Sequence, residues 1–450
     1  MAKIGSLSKV SIVAGGASYP VVQKAITRRM AMGRFAALVT CGLTGNDALA
    51  IPPTFAMVAT APRKITPEMF GAVGDGVACD TAAVLRWFEA LGGPYVGRAD
   101  GKYRMSAPAS VSARSGLRVT GKGVFIADDS MPAAAGQYML RLTGCPGFLI
   151  EGITLDGNRA ARGGKEAYCH ILIIGENNVG GTLRSVSTPN APCDGVYIAS
   201  SSPTQKSTHF SHFLIESHRA DNCFRQGMSI IQGNNGIIRG GSFSNTNGTA
   251  PAAGVDLESN AGDVDAAIEN ILFDGVTFDG NNGYNLQISA KRRPRNIRAV
   301  NCRFLNNKQG AVSWGADGGE IVSPYISGFT EDAKRGAFDV PASVTNGEVL
   351  ILNPRFDAVT ATTKPLFYIH GSSAGGVRIQ GLVVARCGTV AVFNAPRCII
   401  TGGTCSPAVP RAIFLNAADC EVSHMTISGA TDRTIYTSPK ALRFKIEGNR

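Results

Sequence analysis

Residues 225–260 read RQGMSIIQGNNGIIRGGSFSNTNGTAPAAGVDLESN, and this stretch decides the fold. Its residues 227–230 and 254–257 both read glycine, apolar, polar, apolar, which is the alternation of a short strand that buries every second side chain. Residues 237–243 form a further apolar strand between them, and the NN, GG and NTNG segments predict turns. The chain therefore returns to an equivalent position, as one coil of a solenoid does.

A related unit recurs along the chain as an apolar pair, a polar residue, a glycine and an apolar or aromatic residue. Copies lie at residues 148–155, 236–243, 271–278, 297–304, 349–356, 377–384 and 398–405. A turn-rich period this short is typical of solenoids, and the 3.6-residue periodicity of helical repeats is absent. We therefore predict an all-β fold, a single-stranded right-handed parallel β-helix of about 10–11 coils.

Composition supports a folded, turn-dense β protein and not a disordered one, with 54 glycines, 22 prolines and only 17% charged residues. The net charge of +11 favours a polyanionic partner, which is an acidic polysaccharide, a nucleic acid or an anionic membrane surface. Basic residues are not interleaved with aromatic residues, which argues against nucleic acid. No run approaches 18 apolar residues, which argues against a membrane span.

The 11 cysteines contain no C-x-x-C pair, which argues against a zinc ribbon or a thioredoxin-like redox site. Cys398 and Cys420 occur in matching contexts, and Cys145, Cys169 and Cys193 are evenly spaced. This regularity predicts buried cysteines on successive coils that act as small hydrophobic residues. The cysteine spacing does not exclude disulfides.

Residues 1–50 differ from the remainder of the chain. Arg28 and Arg29 precede a modest apolar run at residues 35–43, and the small residues 48–50 resemble a cleavage site. This order predicts an export signal of the twin-arginine type, with a flexible arm as the alternative. We expect residues 51–109 to form a linker and an N-terminal cap, and residues 110–450 to form the β-helix. The expected location is periplasmic or secreted, with a virion surface as the alternative.

Residues 70–83 read FGAVGDGVACDTAA. Asp80 is a suitable N-cap for a short helix with one apolar face, which would close the open end of the stack. The stretch resembles the FGAVGDGxxxDTxA entry motif of the pectate-lyase-like, epimerase-related right-handed parallel β-helix superfamily, which includes polysaccharide lyases, glycoside hydrolases and phage tailspikes. The resemblance implies structural roles for Asp75 and Asp80. The Tyr-Gly-x-Asp-x-x-His signature of mannuronan epimerases is absent, which disfavours epimerase chemistry.

Alignment of the glycine-apolar-polar-apolar strands places two columns of outward side chains on one sheet. The first column is Tyr197, Ser229, Asp256, Gln287 and Ser313. The second column is Ala199, Ile231, Glu258, Ser289 and Gly315. Asp256 and Glu258 are two residues apart on one strand, so their Cα atoms should lie about 6.7 Å apart on one face. Such a pair can divide into a general acid and a base or nucleophile, as glycoside hydrolysis requires. The alternative is two solvated residues on an exposed face.

Other polar residues near this strand are candidates for substrate binding. They are Tyr197, Asp194, Arg225, Tyr284, Gln287, Lys291 and Arg292. The basic cluster at residues 291–295 could line a groove and attract an acidic glycan, or could be a solvated loop. No metal site is predicted, because the histidines at 170, 209, 212 and 218 lack ligand spacing on a common strand and are interpreted as turn or surface residues.

The leading hypothesis is an exported carbohydrate-active enzyme that cleaves a glycosidic bond in an acidic bacterial or capsular polysaccharide, by hydrolysis or β-elimination. Hydrolysis requires no cofactor, whereas a lyase could use a divalent cation such as calcium. The alternative is a non-catalytic glycan-binding β-helix, such as a tailspike-like receptor binder or a surface adhesin. Either protein could be an oligomer.

Overall fold

The computed structural model describes residues 62–449, apart from 132–135, 163–168, 290, 331, 342–346, 361–362, 372–375, 408–411, 429–434 and 442, together with the backbone of two N-terminal strands. The chain divides into two compact units, Met1–Ala59 and Thr60–Arg450. In the first unit, Val10–Ala14 and Ala17–Val21 pair as antiparallel strands. The predicted export signal, with its arginine pair, lies outside the described residues.

The second unit is built on one wholly parallel sheet, which we call the site sheet. Its described strands, in order, are Ala109–Ser112, Tyr138–Thr143, His170–Ile174, Asp194–Ile198, Gln226–Ile230, Val255–Leu257, Tyr284–Ile288, Gly310–Trp314, Phe338–Val340, Phe367–Ile369, Ala391–Phe393, Ile413–Leu415 and Ile435–Thr437. These thirteen strands exceed the ten or eleven expected coils, because later coils are short: Ile435 pairs with Ile413, only 22 residues earlier (435 − 413).

Two further series of parallel strands complete each coil. The second series contains Arg63–Ile65, Tyr95–Ala99, Arg118–Gly121, Leu149–Glu151, Thr182–Arg184, Phe210–Ser211, Leu214–Glu216, Gly233–Arg239, Ile268–Asp274, Arg295–Val300, Gly319–Val322, Val349–Leu352 and Lys445–Glu447. The third contains Asp75–Cys79, Lys102–Met105, Val124–Ala127, Thr154–Asp156, Arg219–Asp221, Ser242–Ser244, Thr277–Asp279, Arg303–Leu305, Tyr325–Ser327 and Arg355–Asp357. Long strands that serve both series are Val377–Cys387, Ile399–Pro407 and Glu421–Ile427. The predicted parallel β-helix is confirmed.

Stacked side chains fill the interior of the solenoid. Phe243, Phe278 and Phe304, which end three copies of the sequence repeat, are fully buried. Their neighbouring ring centroids lie 5.9 and 5.1 Å apart, so each coil extends the aromatic stack of the previous one. The evenly spaced cysteines are also buried as predicted, and Cys398 and Cys420 both direct their thiols to the carbonyl of Ala395.

Among the described residues, the α-helix Thr81–Ala90 precedes the site sheet, and short 3-10 helices cover Pro67–Phe70 and Lys206–Thr208. The predicted apolar face of the α-helix is buried. The indole of Trp87 stacks on Phe125 with centroids 6.0 Å apart, and its Nε1 donates to the carbonyl of Ile65 at 2.9 Å. The role of this helix as a cap of the stack stays a prediction. Within the part of the chain that is described, no helix is long and apolar enough to cross a membrane.

The entry motif has a structural role, as its resemblance implied, but Asp80 acts differently from the expectation. Its carboxylate makes no capping hydrogen bond to the helix. It instead accepts hydrogen bonds from the backbone N–H groups of Val73 and Gly74, at 2.6 and 3.1 Å. Asp80 therefore holds the loop that precedes the helix, because the glycine-rich loop folds back over the carboxylate.

Candidate functional site

A row of glycines positions the start of the site sheet. Gly195, Gly227 and Gly254 are equivalent residues on consecutive coils, and a Cβ atom added to any of them would lie 2.6 Å from a carbonyl oxygen of the next coil. Side chains are excluded at this corner because the coils approach so closely. The glycine of the glycine-apolar-polar-apolar motif is therefore required by the close packing of the coils, and it fixes the positions of the residues before and after it.

The register of the site sheet confirms the alignment of the first outward column. Tyr197, Ser229 and Asp256 are direct lateral partners on consecutive strands, and the column continues through Gln287 and Ser313. Beyond the predicted residues it extends to Asp339 and Tyr368. Neighbouring strands are about 4.8 Å apart, so this column is a continuous ladder of mainly polar side chains.

The second column is aligned in the same way. The backbone N–H of Glu258 donates to the carbonyl of Ile230 at 3.0 Å, and that of Ser289 donates to Leu257 at 2.9 Å. Both donors follow the last residue of a strand, which keeps them in register on successive coils. Glu258 therefore emerges where its strand ends, next to the connecting loop and more exposed than Asp256.

Asp256 occupies an unusual environment for an outward residue, because its side chain is completely buried. Gln226 donates from Nε2 to Asp256 Oδ2 at 3.1 Å, whereas Oδ1 has no hydrogen-bond partner among the described residues. Burial, together with the negative charge of Glu258, raises the pKa of Asp256 to about 8. Asp256 is thus a carboxylic acid that keeps its proton at neutral pH.

Glu258 has the opposite environment. Its side chain is 26% exposed, and each carboxylate oxygen faces a cation. Arg225 Nη2 lies 3.5 Å from Oε2, and Lys291 Nζ lies 3.2 Å from Oε1. Two carboxyl groups that are two residues apart therefore differ in both solvation and charge partners.

Arg225 joins this pair to a second buried carboxylate. Its Nη1 lies 3.6 Å from Oδ2 of Asp194, which also accepts a hydrogen bond from Ser229 Oγ at 2.9 Å. Tyr197 lies nearby, and burial together with the charge of Asp194 raises its pKa to about 12. The structure therefore gathers Asp194, Tyr197, Arg225 and Lys291 around the predicted carboxylate pair.

The interpretation of the histidines as turn or surface residues was wrong for His170, which opens a buried strand, whereas the other three lie in connections between strands. His170 is 6% exposed, and its ring stacks on Tyr197 with centroids 4.0 Å apart and an interplanar angle of 14°. His209 and His218 are buried as well, and only His212 of the four is exposed. The strand His170–Ile174 is buried at every residue, so its sequence lacks the alternation that would have separated core from surface.

Tyr284 lies on the site sheet but is tied to a different cluster. Its hydroxyl donates to Asp339 Oδ2, and Asp339 Oδ1 lies 2.7 Å from His370 Nε2. Asp339 and His370 were absent from the predicted site. The alternation of Phe338-Asp339-Val340 was a usable signal for Asp339.

Gln287 and Arg292 complete the predicted set. Gln287 is the lateral partner of Asp256, as expected. Arg292 instead has a left-handed backbone conformation, with φ of 52°, and its Nη1 lies 3.8 Å from Asp265 Oδ1. This ion pair joins the loops that follow two consecutive strands of the site sheet, and it involves neither Asp256 nor Glu258.

Comparison with known proteins establishes the fold. No family model and no curated protein matches the chain. The catalytic domain of Agl-KA is similar in structure, with a TM-score of 0.53 and 12% identity over 86% of this chain and 69% of that one. The tailspike gp49 of Pseudomonas phage LKA1 has a TM-score of 0.51 and 11% identity, over 85% and 82%. The Streptococcus pneumoniae surface protein and adhesin PfbA has a TM-score of 0.50 and 13% identity, over 86% and 100%. The chain therefore has the right-handed parallel β-helix fold.

Proposed function

We propose that this protein cleaves a glycosidic bond of a polysaccharide, with Asp256 as the general acid and Glu258 as the base or nucleophile. The observation that carries the proposal is the contrast between these two carboxyl groups. Asp256 is fully buried with one oxygen unpartnered among the described residues, whereas Glu258 is partly exposed between two cations. Glycoside hydrolysis needs one protonated and one ionised carboxyl group, and unequal environments provide that division.

Each group has a definite task in this scheme. Asp256 donates its proton to the oxygen of the leaving sugar as the glycosidic bond breaks. Glu258 either attacks the anomeric carbon or removes a proton from the attacking water, depending on the separation of the two carboxyl groups in the complex. The anomeric configuration of the first product, read by NMR, distinguishes these two routes.

An acidic glycan suits the charges beside this pair. Arg225 and Lys291 both face Glu258, and the side chain of Lys291 is 59% exposed. A sugar carboxylate or sulfate can compete with Glu258 for these cations. Because Asp256 has no exposed surface, a glycosidic oxygen reaches it only when the side chains above it move aside. Exchange of ion-pair partners on substrate binding supplies a reason for that movement.

A second candidate function, glycan binding without cleavage, is favoured by the complete burial of Asp256. The neighbours of similar fold include a catalytic domain, a phage tailspike and a surface adhesin, so the fold is compatible with either function. We place the protein outside the cytoplasm in both cases, as a secreted or virion-surface protein.

A panel of acidic bacterial and capsular polysaccharides separates the candidates. Hydrolysis releases reducing ends without ultraviolet absorbance, whereas β-elimination releases reducing ends together with an absorbing unsaturated sugar. Binding without either product, measured by calorimetry on the same polysaccharides, identifies a binder. Calcium and a chelator are included as separate arms, because a lyase reaction can need a divalent cation.

A further inference from the structure

Three buried side chains beside Asp256 have metal-binding groups that the proposed reaction does not use. His170 opens one strand of the site sheet, and Cys193 and Asp194 stand at the start of the next strand. Their exposed fractions are 6%, 0% and 0%. One potential ligand atom from each residue lies within 4.8 Å of the others. Two adjacent coils thus bring a nitrogen, a sulfur and an oxygen donor to one point.

The separations between these atoms agree with a tetrahedral zinc ion. Bond lengths of about 2.0–2.1 Å to nitrogen and oxygen and about 2.3 Å to sulfur imply N···O and S···O separations of roughly 3.3 and 3.5 Å. His170 Nδ1 lies 3.3 Å from Asp194 Oδ2, and Cys193 Sγ lies 3.5 Å from Asp194 Oδ1. Because these two distances run to different oxygens of Asp194, one ion held through Oδ1 requires a small side-chain adjustment that brings His170 Nδ1 into range of that oxygen.

An incompletely satisfied atom points into the same place. His170 Nδ1 is buried and has no hydrogen bond among the described residues, although its ring is held firmly by stacking on Tyr197. A buried imidazole nitrogen without a hydrogen bond is unfavourable, and coordination of a metal would satisfy it.

Arg225 is the main opposing feature, because its Nη1 lies 3.6 Å from Asp194 Oδ2 and its charge repels a cation. The same oxygen accepts the hydrogen bond of Ser229. Metal-binding carboxylates commonly have such outer partners, which orient them and leave the other oxygen for the ion. Arg225 also pairs with Glu258, so part of its positive charge is neutralised by a carboxylate other than Asp194.

We propose that His170, Cys193 and Asp194 form a binding site for a borderline transition-metal ion such as Zn²⁺. Imidazole and thiolate ligands select this class over Ca²⁺ or Mg²⁺, which prefer oxygen. Binding releases the thiol proton of Cys193 to solvent and leaves a fourth coordination position for water. The ion joins two consecutive coils directly beneath Tyr197, and the site does not depend on the proposed glycosidase activity.

The test uses the full chain, stripped with a chelator and then incubated with Zn²⁺, Co²⁺ or Ca²⁺. We expect about one Zn²⁺ per chain after removal of free metal, and a higher melting temperature with Zn²⁺ but not with Ca²⁺. Co²⁺ should give a thiolate-to-metal charge-transfer band in the near ultraviolet. This measurement needs no variant, so it holds even where a substitution prevents folding.

His170→Ala and Cys193→Ser should each weaken Zn²⁺ binding at least about tenfold, and Cys193→Ser should abolish the Co²⁺ band. Cys223→Ser is the matched control, because Cys223 is equally buried but directs its thiol to the carbonyl of Thr188. It should leave the stoichiometry and the band unchanged. The proposal is overturned if the stripped wild type binds no Zn²⁺, or if both site variants retain full stoichiometry and the Co²⁺ band.

Discussion

Asp256 and Glu258 lie two residues apart at the end of one strand of the site sheet, yet the side chain of Asp256 is fully buried and that of Glu258 is 26% exposed. The difference arises because Glu258 follows the end of its strand, whereas Asp256 is enclosed with Gln226 on the neighbouring strand. One sequence motif therefore presents two carboxyl groups with different solvation. The proposed division of acid and base depends on this difference.

The stability of the protein should fall with rising pH because of Asp256. Its pKa is about 8 in the folded protein against 3.8 as the ordinary value, so the folded state holds the proton more tightly. The stabilising contribution is complete below about pH 4 and is lost as the pH rises towards about 8. Within this window the free energy of unfolding should fall steadily with pH, because the folded state holds a proton that the unfolded state has lost.

Urea unfolding of wild type and Asp256→Asn at several pH values checks this prediction. Asparagine has no proton to lose in this range, so wild type should lose stability relative to Asp256→Asn as the pH rises. Subtraction removes the contribution of groups that titrate in both proteins. A difference that stays constant between about pH 5 and pH 8 contradicts the raised pKa.

Arg225 and Lys291 should contribute unequally to the binding of anionic oligosaccharides. Arg225 is 18% exposed and lies between two carboxylates, whereas Lys291 is 59% exposed in a single surface pair. We expect Arg225→Gln to weaken binding about tenfold or more, and Lys291→Gln about two- to threefold, because exposed ion pairs contribute little.

Calorimetry at low and high salt measures both effects, with Arg239→Gln as the control. Arg239 pairs with Asp274 on the second series of strands, away from the site sheet. Its loss should leave affinity unchanged. Equal losses for all three variants would show that net charge, and not this arrangement, governs the binding.

The glycine corner should be intolerant of any side chain. A Cβ at Gly227 would lie 2.6 Å from the carbonyl oxygen of Gly254, whereas a Cβ at Gly262 would contact nothing within 4 Å. We expect Gly227→Ala to lower the free energy of unfolding by about 1–3 kcal/mol, because the coils must separate. Gly262→Ala should change it by less than about 0.5 kcal/mol. Similar values for the two variants in urea unfolding would refute the close approach.

The fold and the columns could be predicted because an apolar, polar, apolar alternation repeats at many strands, with a glycine before several of them. Ser229, Asp256 and Gln287 follow that alternation and are lateral partners as expected. Asp339 was missed although its Phe-Asp-Val strand has the same alternation, with Ala337 in the position that Ala311 has two residues before Ser313. Glycine is required only where the corner is tight, so its absence does not exclude a strand.

Contacts made by loops and strand ends could not be predicted from the sequence. Arg292 has a left-handed backbone and pairs with Asp265, and residue spacing encodes neither feature. His170 contacts Asp194 of the next coil. This contact could not be predicted, because coil lengths vary and the strand that contains His170 is buried throughout. The extent of burial at Asp256 was likewise unpredictable, since outward residues of a sheet are usually solvated.

The rate of polysaccharide cleavage by Asp256→Asn, compared with wild type, tests the central proposal most directly. Asp274→Asn is the matched control, because it makes the same chemical change in an ion pair on another series of strands. On an acidic polysaccharide that the wild type cleaves, kcat for Asp256→Asn should fall about 10²–10⁴-fold, while Asp274→Asn should retain the wild-type value. Equal kcat values for Asp256→Asn and wild type, with both proteins folded, would contradict the assignment of Asp256 as the acid.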